Sequence, residues 1–194
     1  GLIMPEGKAN KVKFNIKNVH YALLKESEGG AVTWDKPVKV PGAVSIALDA
    51  SGEITPFYAD GMVYYQTSSN TGYEGDLEMA MVPDSFRIDV LKEQKDTKGV
   101  LIENANVETA KFALLFEFDG DQKSVRHVLY NCTATRPSVE GETTEDTKEP
   151  TTETLSISAA PLADGNVKAK TGAETDDTTY NGWYESVYVT GSDA

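Results

Sequence analysis

One cysteine, two histidines and 18 basic residues against 31 acidic ones leave this chain of 194 residues short of parts that many functions need. A lone Cys132 permits no intrachain disulfide and no cysteine-based zinc cluster. Set between Tyr130-Asn131 and Thr133, it reads as a small buried strand residue, which suits a chain made in a reducing cytosol. His20 and His127 each fall in a predicted strand, and packed or surface histidine is the reading for both. A net charge of −13 argues against direct nucleic-acid binding, which needs Lys and Arg to neutralise phosphates. No run of about 18 apolar residues occurs, so neither a membrane-spanning helix nor a membrane partner is expected. The start lacks a basic region followed by an apolar core, so no secretory signal is expected. Gly1–Ile3, ahead of Met4, read as a cloning remnant and stay out of the fold reading. Phosphate loops, nucleophile elbows and zinc motifs are missing too. Catalytic residues, cofactors and metals are therefore not expected.

What is present is mostly strand. Phe112, Leu114, Phe116 and Phe118 alternate, the period-2 signal of a strand buried on one side. Asp119-Gly120 supplies a turn, Gly accepting a positive φ, and Val125 to Cys132 returns as the next strand. Asp119 and Asp121 belong to that turn, since the other ligands of a calcium loop are missing. Leu155, Ile157 and Ala159 alternate with Thr154, Ser156 and Ser158. So do Val12, Phe14 and Ile16 with Lys11, Lys13 and Lys17, and Val44, Ile46 and Leu48 with Ser45 and Ala47. One segment predicts a clear helix, 83–92, where Pro83 and Asp84 start it and Phe86, Val90 and Leu91 form a stripe. A second short helix over Tyr180 to Ser186, with Asp177 as cap, competes with a strand there. The expected fold is mainly β, a β-sandwich or partial barrel of two packed sheets with one flanking α-helix. Strand pairs 12–26, 43–81 and 111–138 share those sheets, at roughly 35–50% strand against the average of about 20–25%.

Two surfaces stand out. Residues 52–71 gather Phe57, Tyr58, Met62, Tyr64 and Tyr65 between turn residues, then end in a polar Ser/Asn/Thr stretch. An insertion that long usually has a job, and aromatics with Met are the composition of a protein contact. The same side chains folding back on their own sheet is the equal alternative. In strand 72–81, Tyr73, Leu77, Met79 and Met81 fall on one face and Glu74, Asp76 and Glu78 on the other. Carboxylates on a solvated face explain this better than an acid/base pair. Residues 139–152 combine Glu, Thr and Gly with few apolar side chains, so a mobile acidic loop is expected.

The run FALLFEFDGD, the return RHVLYNCTATRPS and the strand TETLSI closely resemble the major tail proteins, or tail tube proteins, of long-tailed phages infecting Gram-positive bacteria. Shorter pieces continue the likeness in order: KVKF and NVHYA, PGAVS, FYAD, GYEGDLE, PDSFR, VKAKTG, and the terminal Trp183, Val187 and Tyr188. The resemblance thus spans nearly the whole chain. It implies one tail tube domain over 1–194, with an N-terminal arm 1–11, a stacking loop 52–71, the acidic loop 139–152 and a C-terminal segment 172–194. It also implies a structural virion protein, assembled in the host cytoplasm. Such subunits join into hexameric rings that stack into the tail tube for genome ejection. Phe57, Tyr58, Met62, Tyr64 and Tyr65 would stack the rings, and Glu74, Asp76 and Glu78 would line the lumen. Partners would be the chain itself, a tape measure protein, and tail terminator and baseplate proteins, with DNA passing through unbound. The alternative from another class is a non-catalytic β-sandwich module binding carbohydrate or a surface.

Overall fold

The computed structural model describes residues 15–120, 123–141 and 151–191. The strand expected at 12–14, the expected arm 1–11, Asp121 and most of the expected acidic loop 139–152 lie outside that set. Strands take 45% and helices 7% of the described residues, so the mainly β expectation holds. In chain order the strands begin with β1 (Ile16–Glu26), β2 (Val32–Trp34), β3 (Val38–Lys39) and β4 (Ala43–Ser51). Then come β5 (Ile54–Ala59), β6 (Met62–Ser68), β7 (Gly72–Met79), α1 (Asp84–Asp89), β8 (Gln94–Lys95) and β9 (Leu101–Ile102). The rest are β10 (Phe112–Phe118), β11 (Val125–Ala134), β12 (Glu153–Ala159), β13 (Lys168–Lys170) and α2 (Asp177–Asn181).

Nine strands form one sheet in the order β2-β1-β10-β11-β12-β7-β4, with β3 added to β1 and β13 to β11. The expected two layers are thus two halves of a single antiparallel path. Strand twist accumulates along such a path and curls it. The curl brings β1 and β4, far apart in the order, close together, but no ladder joins them and the sheet stays open.

The curl encloses the main core. Phe112, Leu114 and Phe116 meet Leu77, Met79, Leu155 and Ile157 there, and α1 closes one end. Phe86 on α1 stands edge-on to Tyr21 and Phe112, at 5.4 and 5.6 Å between ring centroids. The expected helical stripe is intact, since Phe86, Val90 and Leu91 are all buried. The helix is shorter than 83–92, because Lys92 adopts φ 63° and turns the chain away.

Five local expectations need correction. β10 is buried on both faces, not one: Ala113 and Leu115 join Val128, Tyr130, Trp183 and Val187 in a second cluster. Its cover comes from the C-terminal segment, about 70 residues away in sequence, which no local period reveals. Val44 does not join Ile46 and Leu48, because a bulge between Ala43 and Ser45 turns it out to 50% exposure. Met81 lies past the end of β7 and is exposed. Gly120 does not take a positive φ. A second helix, α2, also stands beside the expected one, capped by Asp176 rather than Asp177, whose side chain accepts from the Thr179 N–H at 2.7 Å.

The C-terminal segment is fastened by polar groups as well as by burial. Trp183 Nε1 donates to the His127 carbonyl, Tyr130 Oη to the Tyr188 carbonyl, and Tyr184 Oη to Glu117. Glu117 is only 2% exposed, and a buried carboxylate is costly unless paired. Asn18 Nδ2 donates to it at 2.8 Å, and Arg126 and Lys17 approach at 3.3 and 3.8 Å. The network ties β1, β10 and β11 to the tail of the chain.

His127 lies flat against Phe116 at 5.1 Å and edge-on to Phe118. Burial first, then the charges of Lys168 and Lys170, push its pKa down to about 4. An unfolded histidine titrates near 6.5, so unfolding below that pH takes up a proton the folded ring refuses. This contribution to stability is complete above about pH 6.5 and is lost as pH falls towards 4. His127→Phe keeps the stacking and is expected to flatten that part of the profile, read as the urea midpoint between pH 7 and 4. An unchanged slope would show that His127 does not carry the effect.

Candidate assembly surfaces

β4–β5 and β6–β7 are the two sides of one long hairpin. Its lower half, β4 against β7, belongs to the sheet, and the pairing runs to Ser51 opposite Gly72. It resumes as Ile54 opposite Ser68, bridged by Thr71 N–H to Ser51 and Ser69 N–H to Glu53. Gly52, with φ 151°, permits the close approach at this root, where a Cβ would lie 2.0 Å from the Ser69 carbonyl oxygen. Asp60 and Gly61 close the tip with φ of 53° and 74°, the two-positive pattern of a type I′ turn.

Among the described strands the distal half pairs only with itself. It is an arm, and at about 3.4 Å per residue its six-residue strand β5 reaches roughly 20 Å. Phe57, Tyr58 and Met62 are 55%, 65% and 72% exposed, and Ile54 is exposed beside them. The folding-back alternative therefore does not describe these side chains. The backbone of Tyr65 pairs with Phe57, while the side chains of Tyr64 and Tyr65 lie outside the described set. The Asp60-Gly61 tip was the missed signal, since Asp-Gly between apolar runs is a strong hairpin mark.

Glu74, Asp76 and Glu78 share the outer face of β7, as alternation requires. β4 presents Asp49 opposite Glu74 and Ser45 opposite Glu78, and β12 presents Ser158, Ser156 and Thr154. Among the described residues nothing covers this face, because the C-terminal segment lies over β1, β10 and part of β11 instead. Ser45 and Thr152 donate to the two oxygens of Glu78 at 3.2 and 2.8 Å, and Ser156 donates to Asp76 at 3.4 Å. Among the described residues no ion pair involves Asp49, Glu74, Asp76 or Glu78. Asp49 escaped the sequence reading because alternation places it outward on β4 but does not say that β4 lies beside β7.

The other polar candidates are absorbed by the fold. His20 stacks on Tyr184 at 4.4 Å, with Nδ1 2.7 Å from the Asn18 carbonyl oxygen. Burial pushes the Cys132 thiol up to about 12, which keeps it protonated. Asp119 pairs with Lys17 at 2.6 Å.

The described chain is thus a mainly β subunit with an exposed apolar hairpin and an acidic sheet face. The family model for phage tail tube proteins matches residues 6–188. The chain belongs to the phage tail tube protein family. Its role is accordingly structural and non-enzymatic, as a component of the virion tail. Comparison with curated protein sequences finds no match. Among solved structures, the anti-feeding prophage baseplate aligns at TM-score 0.49 and 11% identity, over 84% of this chain and 97% of that one. The sheath/tube terminator of an extracellular contractile injection system, PVC, aligns at 0.42 and 9%, over 83% and 99%. Family membership rests on the sequence match.

Proposed function

We propose that this subunit assembles into hexameric rings, that the rings stack through the arm, and that the stack is the tail tube through which the phage genome leaves. The arm carries the reading. An apolar ribbon that leaves Ile54, Tyr58 and Met62 largely in water is costly in the single subunit and gains free energy against another surface. A tape measure protein inside the growing tube, terminator and baseplate proteins at its ends, and assembly in the host cytoplasm complete the proposal.

The acidic face supports it from a second side. Asp49 and Glu74 stand directly opposite each other, an arrangement that weakens a sheet. Placed on a lumen wall, the same charges keep passing DNA from binding, since each phosphate–cation contact would add affinity and drag. Negative-stain microscopy of concentrated protein is expected to show hollow, evenly striated tubes of uniform width. A sample that stays monomeric at every concentration and salt would reject the proposal.

A further inference from the structure

The end of the subunit that receives the arm can be located from strand register. β7 starts at the arm root, Gly72, and runs to Met79, after which the chain enters α1. β12 runs back along it from Glu153 opposite Met79 to Ala159 opposite Tyr73. β11 leaves the sheet with Ala134 opposite Ile157, and Thr135 N–H donates to the Ser156 carbonyl, so it exits towards the Met79 end. At that exit, Ala134 and Arg136 line a cavity of about 570 Å³ together with Leu91, Glu103 and Val107. The cavity lies at the end of the sheet away from the arm. Met81, Val100 and Ile102 are exposed in the segments that follow β7 and α1, and Val107 is exposed on the cavity wall itself.

We propose that this cavity is the receptor for the arm tip of a second copy of the chain, a contact that rests on the tube reading above. Three observations converge on that occupant. The arm and the cavity sit at opposite ends of one sheet, so their contact is head-to-tail, the type that propagates into an open polymer. Met62, beside the tip turn, is the flexible apolar side chain that fills an irregular cavity. The charges also match: residues 53–70 hold Glu53 and Asp60 but no Lys or Arg, and Arg136 is the basic residue on the cavity wall. Arg136 meets Glu103 only at 3.8 Å, with both side chains largely exposed. Such a pair holds weakly, which leaves Arg136 free to turn to an incoming Asp60.

The test uses the full chain, whose one cysteine, Cys132, is buried and silent to oxidants. Met62→Cys and Val107→Cys are made singly and together, assembled, oxidised and run without reductant. The double variant is expected to give a covalent ladder of many subunits. A one-to-one mixture of the single variants stops at a covalent dimer, and each alone stays monomeric. Asp60→Lys and Arg136→Glu should each suppress tube growth at least tenfold, and their combination should restore it. Tubes that form normally while the double variant gives no ladder would overturn the receptor and leave the tube reading standing. Covalent dimers from Met62→Cys alone would overturn it in favour of an arm-to-arm contact. Native protein that yields no tubes, together with a double variant that yields no ladder, would reject both.

Discussion

Tyr58→Asp combined with Met62→Asp is expected to abolish tube growth while leaving the subunit as stable as before. Both side chains are mostly in water in the single subunit, and surface substitutions usually shift stability by less than about 0.5 kcal/mol. Assembly changes the accounting. Buried aromatic anchors carry a disproportionate share of association energy, commonly about 2 kcal/mol or more each. A carboxylate left in an apolar contact adds a desolvation cost that nothing offsets. Every copy in a ring suffers the same loss, and linked contacts lose affinity together. Thermal melting and electron microscopy of the same sample separate the two effects. A variant that unfolds would place these side chains in the subunit core. Tubes of ordinary length would remove the arm from ring stacking.

If Glu74, Asp76 and Glu78 line the proposed lumen, replacing all three with Lys is expected to convert a wall that repels DNA into one that holds it. The apolar face of β7, with Leu77 and Met79 in the core, is untouched, so subunits should fold and tubes should form. The hydroxyl contacts that Glu78 loses, from Ser45 and Thr152, are solvent-exposed. Each substitution reverses one charge, and the change repeats in every subunit of the proposed tube. Lys beside phosphate releases counterions and binds with a steep dependence on salt. Phage carrying the change should adsorb normally and eject slowly, and the delay should deepen at low ionic strength, where the Debye length grows to about 30 Å at 0.01 M. Ejection at the native rate at low salt would take these residues off the lumen. So would an assembled structure with the three carboxylates on the tube exterior.

Much of the subunit is legible along the chain. Alternation marks β12 from Leu155 to Ala159 and the inner face of β10, and a 3.6-residue spacing with Pro83 marks α1. Length and composition mark 52–71 as an insertion between strands, open to either a protein contact or packing on its own sheet. The ordered likeness from KVKF to Trp183 points to the family that the sequence match shows. These signals are local, because side-chain direction repeats over two residues in a strand and under four in a helix.

The tertiary structure alone decides what lies against what. Ala113, Leu115 and Glu117 read as the solvent side of β10 until the C-terminal Trp183, Tyr184 and Val187 come to rest on them. Val44 follows the alternation of its neighbours until a bulge, set by the pairing of β4 with β7, turns it outward. The aromatic residues of 52–71 fit a core or an arm equally well in sequence. They are an arm because β4 and β7 pair only as far as Ser51 and Gly72, and beyond that point β5 and β6 pair with no other described strand. Asp49 joins Glu74 in one acidic patch for the same reason. Which strands become neighbours depends on closing loops of tens of residues around a shared apolar core, and that balance of burial against loop entropy belongs to the whole chain, not to any segment of it.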